Sequence, residues 1–255
     1  MGPGMVTPLA EGQVLRLAHD APSAALTDLT GPGAVLVLSP HPDDETLGCG
    51  AAIAAACAAG VRVIVAVLTD GAGSHPRSRA YPRIRLAALR REEVAEAVSQ
   101  LTQGHGRVVH LNHPDQGPLS VGQRRAYADK LVRLVDDEAV SALWTTWEGD
   151  PHVDHRRAAR LAIDVVTERP RLRLWRFPVW GRFTQRGLRR GEAIRRFEVG
   201  EFGRCKRAAL AAHRSQMTRL IHDDPDGFVM DASTQQHFLA CLLYTSPSPR
   251  DQRGS

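Results

Sequence analysis

His41-Pro42-Asp43-Asp44-Glu45 places one imidazole and three carboxyl groups directly after the apolar run Ala34-Val35-Leu36-Val37-Leu38. Charge clustered at the end of a buried strand is costly to desolvate unless something positive compensates it. A divalent metal is the simplest compensator, and a second cluster, His152-Val153-Asp154-His155, offers the imidazoles such a site still lacks. A catalytic zinc takes three protein ligands from His and carboxylate and leaves a place for water. His41 with either Asp43 or Asp44 supplies two ligands, and either His152 or His155 the third. The carboxylate left over can act as general base on water whose pKa the metal lowers toward about 7. The histidine left over, if protonated, can stabilise an oxyanion and protonate a leaving group. Asp154 is placed to orient one imidazole.

The elements around these clusters alternate. Short apolar strands are read at 35–38, 61–68, 107–111, 140–147 and 172–179. Amphipathic or small-residue helices are read at 46–59, 84–101, 121–135 and 155–167. Strands apolar throughout, separated by helices, imply a mainly parallel sheet covered on both faces: a doubly wound, three-layer, Rossmann-like α/β fold. In such sheets ligands bind beyond the carboxyl ends of the strands. Both clusters fall there, after the first and fourth strands. Further on, the pattern predicts a strand at 194–199 and helices at 201–214 and 234–242. The domain organisation expected is an N-terminal arm (1–30), one domain (31–243) and a Ser/Pro/Arg-rich tail (244–255). The tail reads as disordered and resembles translated sequencing-adapter read-through, so it is assigned no function.

A hydrophobic content of 43% is ordinary for a globular protein. No apolar run long enough for a membrane span and no secretory signal are seen, so a cytoplasmic location is expected. The formal charge is +5, but 31 of the 33 basic residues are arginines scattered in pairs, which argues against a nucleic-acid footprint. Cys49, Cys57, Cys205 and Cys241 show no metal or disulfide spacing and read as reduced thiols. Gly48-Cys49-Gly50 falls inside a helix rather than at a strand-to-helix turn, which removes a dinucleotide reading.

Together His41-Pro42-Asp43-Asp44-Glu45, Thr69-Asp70-Gly71, Ser74-His75-Pro76, Arg90-x-x-Glu93, Pro114-Asp115 and His152-x-Asp154-His155 resemble the PIG-L/LmbE-like family of zinc-dependent N-deacetylases, over roughly residues 35–220. The resemblance implies His41, Asp44 and His155 as ligands of one Zn2+ per chain. It implies Asp43 as base and His152 as the charged oxyanion stabiliser. It also implies an N-acetylated amino sugar or glycoconjugate as substrate. Arg90, Asp115 and His75 are the substrate-contact candidates. Each has a blander alternative: an Arg90–Glu93 ion pair on one helical face, a turn at Asp115, a solvated loop histidine. Trp144, Trp147 and Trp180 read as core or rim packing. Rival functions are an amidase for larger acyl groups, a metal-dependent phosphoesterase, and a non-catalytic anion- or nucleotide-binding module.

Overall fold

In the computed structural model of the protein, residues 9–240 and 242–246 are described, the last five for their backbone alone. Two short helices, α1 (Gln13–Ala18) and α2 (Leu26–Thr30), precede the alternating core. That core runs β1 (Ala34–Ser39), α3 (Asp44–Ala58), β2 (Val63–Thr69), α4 (Arg83–Thr102), β3 (Arg107–His113), α5 (Val121–Asp137), β4 (Val140–Thr146), α6 (Val153–Glu168) and β5 (Arg173–Phe177). After it come β6 (Ala193–Phe197), α7 (Gly203–Ala212), α8 (Arg214–Met217), α9 (Ala232–Ala240) and β7 (Leu242–Ser246).

The sheet order is β3-β2-β1-β4-β5-β7-β6. The first five strands pair in parallel, and β7 lies antiparallel to both of its neighbours. The expected doubly wound α/β fold is therefore present, with an antiparallel edge added. Successive side chains of a strand face opposite layers, and the core divides accordingly. Val35, Val37, Val63, Val65 and Val67 pack with α3, α4 and α7. Leu36, Leu38, Ile64, Ala66 and Leu68 pack with α5 and α6. Strand order reverses between β1 and β4, so the crevice at that switch point receives the loops that carry both charged clusters.

α3 is the central helix, buried from Asp44 to Ala56 and bent at Cys49, whose φ of −140° and ψ of 15° are not helical. Beside the bend the backbone is closely packed at Gly48, where a Cβ would stand 2.0 Å from the Phe177 ring. Gly48→Ala is expected to destabilise the fold by about 1–3 kcal/mol, the usual cost of overpacking a core, measured by denaturant titration.

Three readings are corrected. The helix expected over 201–214 is broken at His213, where α7 gives way to α8. The first and fourth predicted helices begin earlier, so Asp44 lies in the first turn of α3, and Asp154 and His155 in that of α6. The sheet also continues through Leu242–Ser246, so the change of composition at Tyr244 does not mark its end. Residues 247–255 and Cys241 lie outside the described residues. Cys49, Cys57 and Cys205 are free thiols, as expected. No helix among the described residues is long and apolar enough to cross a membrane.

Candidate metal centre

The loop between β1 and α3 is held by its own carboxylates. Asp44 Oδ2 accepts the His41 N–H at 3.0 Å and stands 3.0 Å from His41 Nδ1. From the other side of the switch point, His155 Nε2 lies 3.2 Å from the same oxygen. His155 is fully buried, and neither of its ring nitrogens makes a hydrogen bond of acceptable geometry. Each nitrogen thus stands about 3 Å from one carboxylate oxygen, close to the separation of about 3.3 Å that bonds of ~2.0–2.1 Å set between two ligand atoms of a tetrahedral ion. Without such an ion, protons take its place. Burial opposes charge on both imidazoles, but carboxylates outweigh it: Asp44 and Asp150 push His155 up to about 9, and Asp115, Asp154 and Asp44 raise His41. Burial would raise Asp44, yet His155 and His41 hold it well below the usual carboxylate range. A cation binding here would displace those protons.

Other donor sets exist. His41, His152 and His155 bring nitrogens within 4.8 Å of one another, as do His41, Asp115 and Asp154 their ligand atoms. The second set is better read as support for His41. Asp115 Oδ1 and Asp154 Oδ2 each lie 3.4 Å from His41 Nε2. Their carboxylates already accept from the Gly73 N–H, the Gln116 N–H and Arg157 Nη1. Acidic partners behind a ligating imidazole fix its orientation and raise its basicity. Asp154, expected to orient a histidine, thus faces His41 rather than its sequence neighbours.

The partner of His155 is Asp150, which sequence reasoning missed. Its Oδ1 lies 3.1 Å from His155 Nδ1, while Oδ2 accepts the Val179 and Gly181 N–H groups at 3.1 and 3.0 Å. Its place two residues before the histidine cluster was the one sequence signal; its burial and its contacts come from the fold.

Asp43 is not among the groups gathered at Asp44 Oδ2. Arg90 Nη2 donates to Asp43 Oδ2 at 2.9 Å and to the Pro42 carbonyl at 2.7 Å, and Nη1 to the Gly71 carbonyl at 2.8 Å. Gly71 has φ +64°, and a Cβ there would stand 2.6 Å from Arg90 Nη1, so only glycine suits the position. Asp43 itself has φ 155°, a backbone strain of the kind that clusters at functional sites. Its N–H is held by Glu45 Oε2 at 3.1 Å. Glu45 in turn is held by Thr46 and lies 3.2 Å from His213 Nε2. Burial raises the Asp43 pKa and Asp44 adds to it, against the pull of Arg90, leaving it at about 6.

His152 caps α6: its Nδ1 accepts the Asp154 N–H at 3.2 Å, which leaves the ring proton on Nε2. Burial and repulsion from His41 and His155 push its pKa down to about 4. That direction favours a neutral imidazole over the imidazolium expected from the sequence.

Of these groups His41, Asp43, Asp44, Arg90, Asp115 and His152 line one cavity of about 720 Å³, and the fully buried His155, Asp150 and Asp154 lie behind its wall. Of the expected substrate contacts, Asp115 and Arg90 reach it, but Arg90 anchors the Asp43 loop. Glu93 accepts from Ser215 instead of pairing with Arg90. His75 is a correction: it does not line the cavity but is buried beneath Gly227, where a Cβ would stand 2.1 Å from its ring. Trp144 and Trp147 are core residues, whereas Trp180 is half-buried and forms part of the cavity wall.

Residues 36–166 match the family model described as PIG-L, GlcNAc-PI de-N-acetylase. A diacetylchitobiose deacetylase of Thermococcus kodakarensis is 27% identical over 139 residues, 52% of this chain; the match spans about half of that relative (49%). An uncharacterized deacetylase, YaiS, of Escherichia coli is 24% identical over 197 residues, covering 76% of this chain and 97% of the relative. Among solved structures, the N,N'-diacetylchitobiose deacetylase of Pyrococcus horikoshii superposes with a TM-score of 0.59 at 25% identity, over 74% of this chain and 72% of that one. The family match spans half of the chain and contains both charged clusters and every group that converges on Asp44, and by it the chain belongs to the PIG-L family, whose model is described as GlcNAc-PI de-N-acetylase.

Proposed function

We propose that this protein is a metal-dependent N-deacetylase that removes an acetyl group from an N-acylated amino sugar. The observation that carries the reading is the approach of His41 Nδ1 and His155 Nε2 to one Asp44 oxygen, at 3.0 and 3.2 Å. His41, Asp44 and His155 would hold the ion, zinc in this reading. When bound, it would polarise the amide carbonyl and acidify the attacking water. Asp43, at the cavity wall, takes the water's proton. A carboxylate with a pKa near 6 is still ionised at neutral pH, yet basic enough to accept a proton. Arg90 aims that carboxylate and Glu45 fixes its backbone. His152 Nε2–H donates to the amide oxygen as negative charge develops there, and Asp43 returns its proton to the departing amine.

The names of the relatives support the substrate class: two are deacetylases of diacetylchitobiose, an N-acetylated sugar. Release of free amine from N-acetylated amino sugars, abolished by a chelator and restored by zinc, tests the proposal. Chelator-insensitive ligand binding without amine release would overturn it. Arg90→Lys keeps the charge but loses the fork that spans Pro42, Gly71 and Asp43. It is expected to lower kcat by about 10- to 100-fold, a share of what a positioned base contributes, with KM and metal content unchanged. Steady-state kinetics and metal analysis check this.

A further inference from the structure

The cavity wall has a second part that the reaction does not use. Phe228 keeps 37% of its surface exposed and meets Trp180 edge-to-face, centroids 5.8 Å apart at 84°. Leu47 and Pro76 line the same cavity. Phe228 is not a loose surface side chain. Its N–H donates to the Ser74 carbonyl at 2.8 Å. The turn before it is tied down by the Asp223 carboxylate, which accepts from Ser78 Oγ and the Arg79 and Ala80 N–H groups at 2.7–2.9 Å. Asp224 accepts the Arg77 N–H at 2.8 Å, and Gly227 rests on His75. Two loops, 74–80 and 223–228, are thus locked together and present an apolar ring to the cavity. Exposed aromatic surface held in place beside a catalytic site is preorganised to bury an apolar ligand group.

Charge narrows the ligand further. The cavity is lined by the carboxylates of Asp43, Asp44, Asp115 and Asp226. Arg90 is the one Lys or Arg among the described lining residues, and both its terminal nitrogens are engaged. Asp226 pairs with Arg77 at 2.6 Å. No lysine or arginine among the described lining residues is thus left unpaired to receive a phosphate. We infer that the Trp180–Phe228 corner is an aglycone subsite for a neutral, apolar substituent on the amino sugar, and that it selects against phosphorylated substrates. The inference rests on the deacetylase reading for the sugar itself.

The test uses the zinc-loaded protein carrying Asp43→Ala, so that binding is read without hydrolysis. The probes are phenyl N-acetyl-glucosaminide, N-acetylglucosamine and N-acetylglucosamine 1-phosphate. Calorimetry should show the phenyl glycoside binding about tenfold tighter than the free sugar, as burial of one aromatic ring predicts, and the phosphate weakest. Adding Phe228→Ser or Trp180→Leu should bring that preference close to one. Phe228→Leu should keep part of it, and thermal midpoints identify any variant that has lost its fold. A phenyl glycoside bound no tighter than the free sugar overturns the inference, as does a preference unchanged in Phe228→Ser, or tightest binding of the phosphate. Turnover by the unmodified protein separates the two readings. A binding preference without amine release leaves the subsite standing and removes the deacetylase. Amine release without preference does the reverse.

Discussion

Asp43→Ala should retain a full complement of metal while its turnover of an N-acetylated amino sugar falls by about 10³-fold, in the middle of the range for loss of a positioned general base. The reason is geometric. Asp44 is the oxygen shared by His41 and His155, whereas Asp43 faces Arg90 and the cavity. Losing the Asp43 carboxylate leaves Arg90 with two backbone carbonyls as partners, so the loop should hold, although breaking a buried ion pair lowers the thermal midpoint. Asp43→Asn, which keeps the shape and removes the base, should match the alanine variant in kcat. Undiminished turnover in either variant would remove Asp43 from the reaction.

The second large effect is expected at His155. Its replacement by alanine takes away a ligand and also uncovers Asp44 and Asp150, both buried on its two sides. Removing one member of a buried charged group costs about 3–5 kcal/mol, so this variant should lose both metal and a good part of its stability. Asp150→Asn is the graded comparison. It keeps the ligands and weakens the partner of His155 Nδ1, along with the carboxylate's bonds to the Val179 and Gly181 N–H groups, so metal affinity should drop by about 10- to 100-fold, as for other outer-sphere carboxylates. Equilibrium metal competition and denaturant titration separate the two effects. Equal metal affinity in all three proteins would show that His155 does not hold the ion.

The sequence carried the parts of this site that are local. An apolar strand followed by His41-Pro42-Asp43-Asp44 announces a charged loop at a strand end, and the alternation of elements announces a parallel sheet. Their meeting at the switch point follows from the two together. What was not legible depends on approach between distant segments. Asp150 becomes the partner of His155 because the β5 end turns back and offers the Val179 and Gly181 N–H groups to the same carboxylate. Arg90 and Glu93 have the spacing of a surface pair. Burial of that face of α4 instead sends one to the Asp43 loop and the other to Ser215. His75 sits in a motif beside the cavity, yet Gly227 closes over it because glycine alone permits that contact. Phe228 gave no signal at all: its role comes from the turn that Asp223 and Asp224 fasten to a loop some 145 positions earlier.

The most direct measurement is anomalous X-ray scattering at the zinc edge from crystals of the zinc-loaded protein. One peak per chain is expected, about 2 Å from His41 Nδ1, an Asp44 oxygen and His155 Nε2, with Asp43 outside bonding distance. A peak held by Asp115 and Asp154 instead, a second peak of equal height in the cavity, or a peak away from Asp44 would contradict it.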